Sequence, residues 1–144
     1  MIFSFDQSET ERIEVDVLRY ERAPSGEYHD DNWLTSQFRV SVGGFHGQVD
    51  NAAILTYELA AFLTQLRPLY KTLRGTAEFS TLERQLHLLL VGDGIGHIAL
   101  TGEVEDRVVG GNQLHFRLQF DQTQLATSIH ELERVMSEFP IRQV

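Results

Sequence analysis

The strictest pattern in the chain is Leu114-His115-Phe116-Arg117-Leu118-Gln119-Phe120-Asp121, where apolar and polar residues alternate without a break. Side chains on a strand point to opposite faces in turn, so this segment needs one buried face and one wet face. A slip of one residue would invert both, which fixes its register. Other segments repeat the pattern. Ile13, Val15 and Val17 alternate with Glu14 and Asp16. Leu34, Ser36, Phe38, Val40 and Val42 form one face of a second strand, and Phe45, Gly47 and Val49 begin a third. Later strands are expected around Ala77 and Phe79, then at Leu86–Leu90, then at Ile98–Val104. Gly43-Gly44, Gly92-Asp93-Gly94 and Gly110-Gly111-Asn112 lie between neighbouring strands, where tight turns need residues tolerant of positive φ.

Two stretches change period. Leu59, Phe62, Leu63, Leu66, Leu69, Tyr70 and Leu73 recur at helical steps, with Thr56 as the expected cap, Gly75 as the expected stop and a kink or break at Pro68. Leu125, Ile129, Leu132, Met136 and Phe139 define a second helix, capped by Asp121 or Thr123 and ended by Pro140. The expected order is βββαββββα. The expected fold is α+β, a mainly antiparallel sheet of six to seven strands with two amphipathic helices packed on one face. No internal repeat stands out, and the 144 residues are read as a single domain, 1–144. A chain of this length can bury roughly two thirds of its unfolded surface, enough for an ordinary core.

Composition narrows the chemistry. There are no cysteines, so disulfides, thiolate metal sites and thiol nucleophiles are all absent. The start Met1-Ile2-Phe3-Ser4-Phe5-Asp6 lacks the basic, long apolar character of a secretory leader, and no stretch is apolar enough to span a bilayer, so a cytoplasmic protein is expected. The net charge is −9 and unevenly spread. Residues 1–31 carry nine acids against three bases, and residues 78–106 six acids against one. Such a chain repels nucleic acid and anionic membrane and attracts a basic partner; plain solubility is the simpler reading of the same charge.

No segment reads as assembled catalysis. Gly92-Asp93-Gly94-Ile95-Gly96-His97 has spaced glycines but a strand follows it, whereas a phosphate cradle needs a helix N-terminus, so a hairpin turn is expected. None of the serines sits in a recognised nucleophile context. The six histidines include no pair at i, i+4 or i, i+2, the spacings that converge on one metal. His29 with Asp30 and Asp31 reads as a solvated turn rather than an ion site. His87 and His115 fall on polar strand faces and can be neighbours on one sheet. Glu103 and Glu105 lie two apart on one strand face, exposed rather than enclosed as an acid–base pair would have to be. No cofactor is expected.

Trp33 is the only tryptophan, beside Asn32 where a polar turn meets an apolar run. Its ordinary role is packing, with the indole N–H finding an acceptor; its alternative role is a contact anchor. The stretch Asp30-Asp31-Asn32-Trp33-Leu34 resembles the Asp-x-Asn-Trp-Leu signature of WapI-type bacterial immunity proteins, with Asp31 in the variable place. Glu58-Leu59 with Phe62 and Leu63 resembles that family's central helix. Phe79 through Leu86 resembles its next strand pair, where the family's Glu-Pro-Asn-Leu is matched at its ends by Glu83-Arg84-Gln85-Leu86. The resemblance implies no enzyme but an intracellular binding protein that neutralises a cognate toxin domain, often a nuclease. An acidic surface of Asp30, Asp31, Glu103, Glu105 and Asp106, with Trp33 as apolar anchor, would meet the basic surface of that toxin. The alternatives are a small-ligand or metal-binding protein built on His29, Asp30, Asp31 or the histidine-bearing sheet face, and a scaffold or oligomer-forming module.

Overall fold

A computed structural model describes residues 1–143. The chain runs β1 (Ile2–Ser8), β2 (Glu11–Tyr20), a one-turn α1 (Tyr28–Asp31), β3 (Trp33–Val42), β4 (Phe45–Leu55) and α2 (Thr56–Thr72). It continues through β5 (Arg74–Ser80), β6 (Leu86–Asp93), β7 (His97–Glu105), β8 (Gln113–Asp121) and α3 (Gln122–Glu138). All strand pairs are antiparallel meanders, β1-β2-β3-β4 in one sheet and β5-β6-β7-β8 in the other. The α+β class and the antiparallel pairing hold, but the single sheet of six to seven strands is in fact two sheets of four. Apart from the short α1, the order is four strands and a helix, twice over, a repetition of architecture that the residues themselves do not display.

The inner faces are those the alternation selects. Phe3, Phe5, Ile13, Val15, Val17, Leu34, Phe38 and Val40 line the first sheet, and Leu86, Leu88, Leu90, Ile98, Leu100, Phe116, Leu118 and Phe120 the second, within one continuous core. Gly102 has a constructive role there: the Phe116 ring occupies the space a Cβ would need.

The helices do not lie side by side on one sheet face. Each runs along the open edge of the other half's first strand. On α2, Gln65 accepts a hydrogen bond from the Glu78 N–H of β5 at 2.9 Å and donates to the Glu78 carbonyl at 3.2 Å. On α3, Glu131 accepts from the Ser4 N–H of β1 at 3.1 Å, while Ser128 and Gln124 donate to the Ser4 carbonyl. Unpaired strand edges invite pairing with other chains, and these side chains occupy the edge groups of Ser4 and Glu78. Apolar faces of the helices complete the core through Leu59, Phe62, Leu66, Leu125, Leu132 and Val135.

Several local expectations change. Thr56 does not cap α2; β4 enters the helix without a loop, Leu55 is the cap residue, and Glu58 accepts the Leu55 N–H at 2.7 Å. Pro68 does not break α2, whose span continues to Thr72 with the ring on the exposed side. The helix ends not at Gly75 but at Leu73, held in the left-handed region (φ 60°), where the Gly94 N–H donates to its carbonyl at 2.7 Å. Asp121 caps α3 as expected, accepting from Thr123 and Gln124 N–H groups. The glycines at 92–96 form the β6–β7 hairpin, with Asp93 accepting from Ile95 and His97 N–H groups. No described helix is long and apolar enough to cross a membrane.

Candidate partner-binding surface

The segment before β3 divides its residues between holding the fold and facing solvent. Asp31 turns inward and is 4% exposed. Its carboxylate accepts from the Ser25 N–H and hydroxyl and from the Gly26 N–H, at 2.7 to 3.0 Å, and so fastens the 25–31 loop. Asn32 is 0% exposed and acts as a hub. Its Nδ2 donates to the carbonyls of Tyr28 and Arg142, and its Oδ1 accepts from the Thr56 hydroxyl and the Arg142 N–H. One buried amide therefore joins α1, the start of α2 and the C-terminal tail, and both its ends are satisfied. Leu34 belongs to the core. Asp30 stays half-exposed, 3.7 Å from Arg22, and Trp33 is half-buried.

Around Trp33 the structure assembles an aromatic corner. Tyr28 of α1 stacks on Tyr57 of α2 with centroids 5.9 Å apart and planes 12° from parallel. His29 meets the Trp33 ring edge-on at 5.5 Å, and its Nδ1 lies 2.7 Å from the Tyr57 hydroxyl. Glu58 reaches behind this group to accept the Leu82 N–H at 2.6 Å, which places the β5–β6 turn beside it. Tyr57 escaped the reading from sequence, and Glu58 entered it only as part of the central helix, because both are far from Tyr28 along the chain and do not belong to the apolar stripe of α2.

Glu103 and Glu105 lie on the second sheet, at the end of β7. Strand register sets Ser80, His87, Glu103 and His115 in one row across its four strands. His87 and His115 are thus on one face, as expected. Glu103 Oε1 is 3.2 Å from His115 Nδ1, and His87 Nε2 is 3.6 Å from Glu78. The next residues along this outer face are Leu89, Thr101 and Arg117, then Val91, Ala99 and Gln119, giving a mixed polar and apolar surface with acids at its margin. Asp106 instead closes the β7–β8 loop, accepting the Asn112 N–H at 2.7 Å and its side-chain amide at 2.9 Å. It lines a cleft with Phe45, His46 and Val49. Trp33 pairs with Leu55, at the far end of β4 from Phe45, a separation of about 30 Å at ~3.3 Å per strand residue. The six residues singled out from sequence therefore fall into three places: the aromatic corner, the second sheet's outer face and the Asp106 loop. Among the described residues no group of three or more histidine or carboxylate side chains is placed to hold one metal ion.

The carboxylates divide by environment. Asp31, Asp93 and Asp106 are held below the ordinary aspartate value, chiefly by the Ser25 hydroxyl, the Ile95 N–H and the Asn112 side chain respectively. Glu58 and Glu131 are pushed up by burial. A lowered acid stabilises the fold above its unfolded pKa, and that contribution is lost as pH falls through the folded value. A raised acid works the other way, weakening the fold as pH rises from the unfolded value through the folded one. The charge of −9 adds self-repulsion in the same direction. The melting temperature is expected to peak near pH ~5, to drop below pH ~4 and to be lower at pH ~8 than at the peak. A steady rise across the whole span to pH ~8 would contradict these assignments.

A sequence profile described as the immunity protein WapI-like family matches residues 3–140. The chain belongs to the WapI-like immunity protein family. Both sheets and all three helices of this WapI-like chain lie essentially within the matched span. Among curated proteins none matches it in sequence. Two solved structures resemble it in fold. One is the plant transcriptional regulator PBF-2, with a TM-score of 0.56 and 11% identity, covering 96% of this chain and 81% of that one. The other is WHY1 from Arabidopsis thaliana, with a TM-score of 0.52 and 15% identity, covering 96% and 90%. At such identities the likeness to either is one of fold alone.

Proposed function

We propose that this chain is a non-enzymatic immunity protein, acting in the bacterial cytoplasm, that binds and neutralises a cognate toxin domain with a basic surface, such as a nuclease. The observation that carries the reading is family membership across residues 3–140 in a chain of net charge −9. A toxin that grips phosphates needs a positive surface, and an acidic protein covering that surface blocks it. Asp30, Glu103, Glu105 and Asp106 supply solvent-facing carboxylates in separate places on the fold, so their first effect is a long-range field that speeds encounter. Asp31 supports the surface by fixing its loop, and Trp33 contributes apolar contact.

The small-ligand or metal reading is weaker on the geometry. Hydrogen bonds from Ser25 and Gly26 occupy the Asp31 oxygens, and the Tyr57 hydroxyl occupies His29 Nδ1. Nucleic acid as a partner is disfavoured by the same negative charge, since phosphate binding rests on clustered lysine and arginine. The test is to titrate the purified protein with the toxin domain encoded beside its gene. Tight binding is expected, weakened at least about tenfold by the double substitution Glu103→Lys/Glu105→Lys at low salt. Absence of binding would overturn the proposal.

A further inference from the structure

We propose that the aromatic corner formed by Tyr28, His29, Trp33 and Tyr57 is the anchoring contact for the toxin domain, receiving an arginine or lysine of its basic surface against the stacked tyrosines. This rests on the toxin-binding reading above and goes beyond it by assigning the contact to side chains other than the exposed sheet acids.

Three observations converge on the corner. The first is the company of aromatics. Two of the four tyrosines and the single tryptophan of the chain gather within one patch, and Tyr28 remains 41% exposed. Tyrosine and tryptophan bury large rigid area at little cost in side-chain freedom, and they dominate binding energies where they cluster.

The second is charge. Glu27 flanks Tyr28, Asp30 follows His29, and Glu58 lies beneath, close to Glu83. These four acids and Asp31 outnumber the nearby Arg22, Arg84 and Arg142. A guanidinium or ammonium over a tyrosine face is attracted by the ring, and more strongly with carboxylates behind it. An acidic partner would find repulsion at the same place.

The third is preparation. Asn32 ties α1 to α2, the Asp31 carboxylate ties down the loop before α1, and Glu58 ties the β5–β6 turn to the helix start. The rings are therefore held in place before a partner arrives, which lowers the ordering cost of binding. Leu82, 60% exposed at the tip of that turn, extends the corner with apolar surface. A charged face with one rigid aromatic centre matches the anatomy of interfaces in which a few central residues carry most of the affinity.

The division of labour is measurable. Rim and field charges act on association, whereas buried anchors act on dissociation. Surface-coupled kinetics with the toxin domain encoded beside the gene should show Tyr28→Ala/Tyr57→Ala raising the dissociation rate at least about 30-fold with the association rate changed less than about threefold. Leu82→Lys, which removes no internal hydrogen bond, should raise dissociation in the same way and serves as the second probe. Glu103→Lys/Glu105→Lys should instead slow association. Tyr70→Ala, on the exposed side of α2 away from the corner, should leave both rates unchanged, and melting curves identify any variant that fails to fold. Dissociation rates untouched by both the tyrosine pair and Leu82→Lys would overturn this assignment while leaving the toxin-binding reading intact. No binding by the unaltered protein would overturn both.

Discussion

Phe5→Ala is expected to lower the unfolding free energy by about 3–5 kcal/mol, the range for removing a buried phenylalanine ring. The size of the effect follows from where Phe5 stands. It is 1% exposed on the edge strand β1, yet its ring stacks on Phe120 of the second sheet at 5.6 Å. It also lies 6.0 Å from Phe62 of α2 and 6.5 Å from Phe3. One side chain thus joins both sheets and a helix, and the cavity it leaves cannot collapse without moving elements from both halves of the chain. Denaturant unfolding followed by Trp33 fluorescence and by far-ultraviolet circular dichroism measures it. The fluorescence reports on the first sheet and the dichroism on both, so coincident transitions are expected if the two sheets share a core. A loss below about 1 kcal/mol, or two separated transitions in the native protein, would contradict the single interlocked core.

Asn32→Ala is expected to cost about 3 kcal/mol, unusually much for a residue with no apolar payload. The substitution strands four groups at once: the Thr56 hydroxyl and Arg142 N–H lose their acceptor, and the Tyr28 and Arg142 carbonyls lose their donor. Each unsatisfied buried group carries a desolvation penalty of about 1–3 kcal/mol, partly relieved where water can enter near the surface. Asn32→Asp does not rescue it, because the carboxylate keeps the acceptor side, loses both donors and adds a buried charge. Thermal melts of the two variants check this, and a loss of only a few tenths of a kcal/mol would mean that the hub is not what holds the corner.

How legible all this was depends on how local each signal is. The alternation from Leu114 to Phe120 and the cap at Asp121 are written in adjacent residues, and they read correctly. So did the glycine turns, because positive φ is a local requirement. β1 was missed as a strand: its two inward phenylalanines flank Ser4, which is buried only because α3 covers that edge from over 120 residues away. The division into two sheets was invisible for the same reason, since turns determine which strands are neighbours in sequence but not which faces meet. Thr56 looked like a helix cap because nothing nearby reveals that its hydroxyl is needed by Asn32. In the Asp30–Leu34 motif the expectation put Asp31 in a variable, solvent-facing place, yet it is Asp30 that faces outward while Asp31 fastens the loop. Tyr28 and Tyr57 meet only after β3 and β4 have folded back on one another, so the corner they form has no signature along the chain.

On the proposed function, complementary charge brings this protein to a basic toxin domain. The most direct measurement is a calorimetric titration against the toxin domain encoded beside the gene, run at about 50 mM and about 500 mM salt, where the screening length shrinks severalfold. Tight one-to-one binding is expected at the lower concentration, with affinity at least about tenfold weaker at the higher one. No heat of binding at either concentration, or an affinity indifferent to salt, would contradict it.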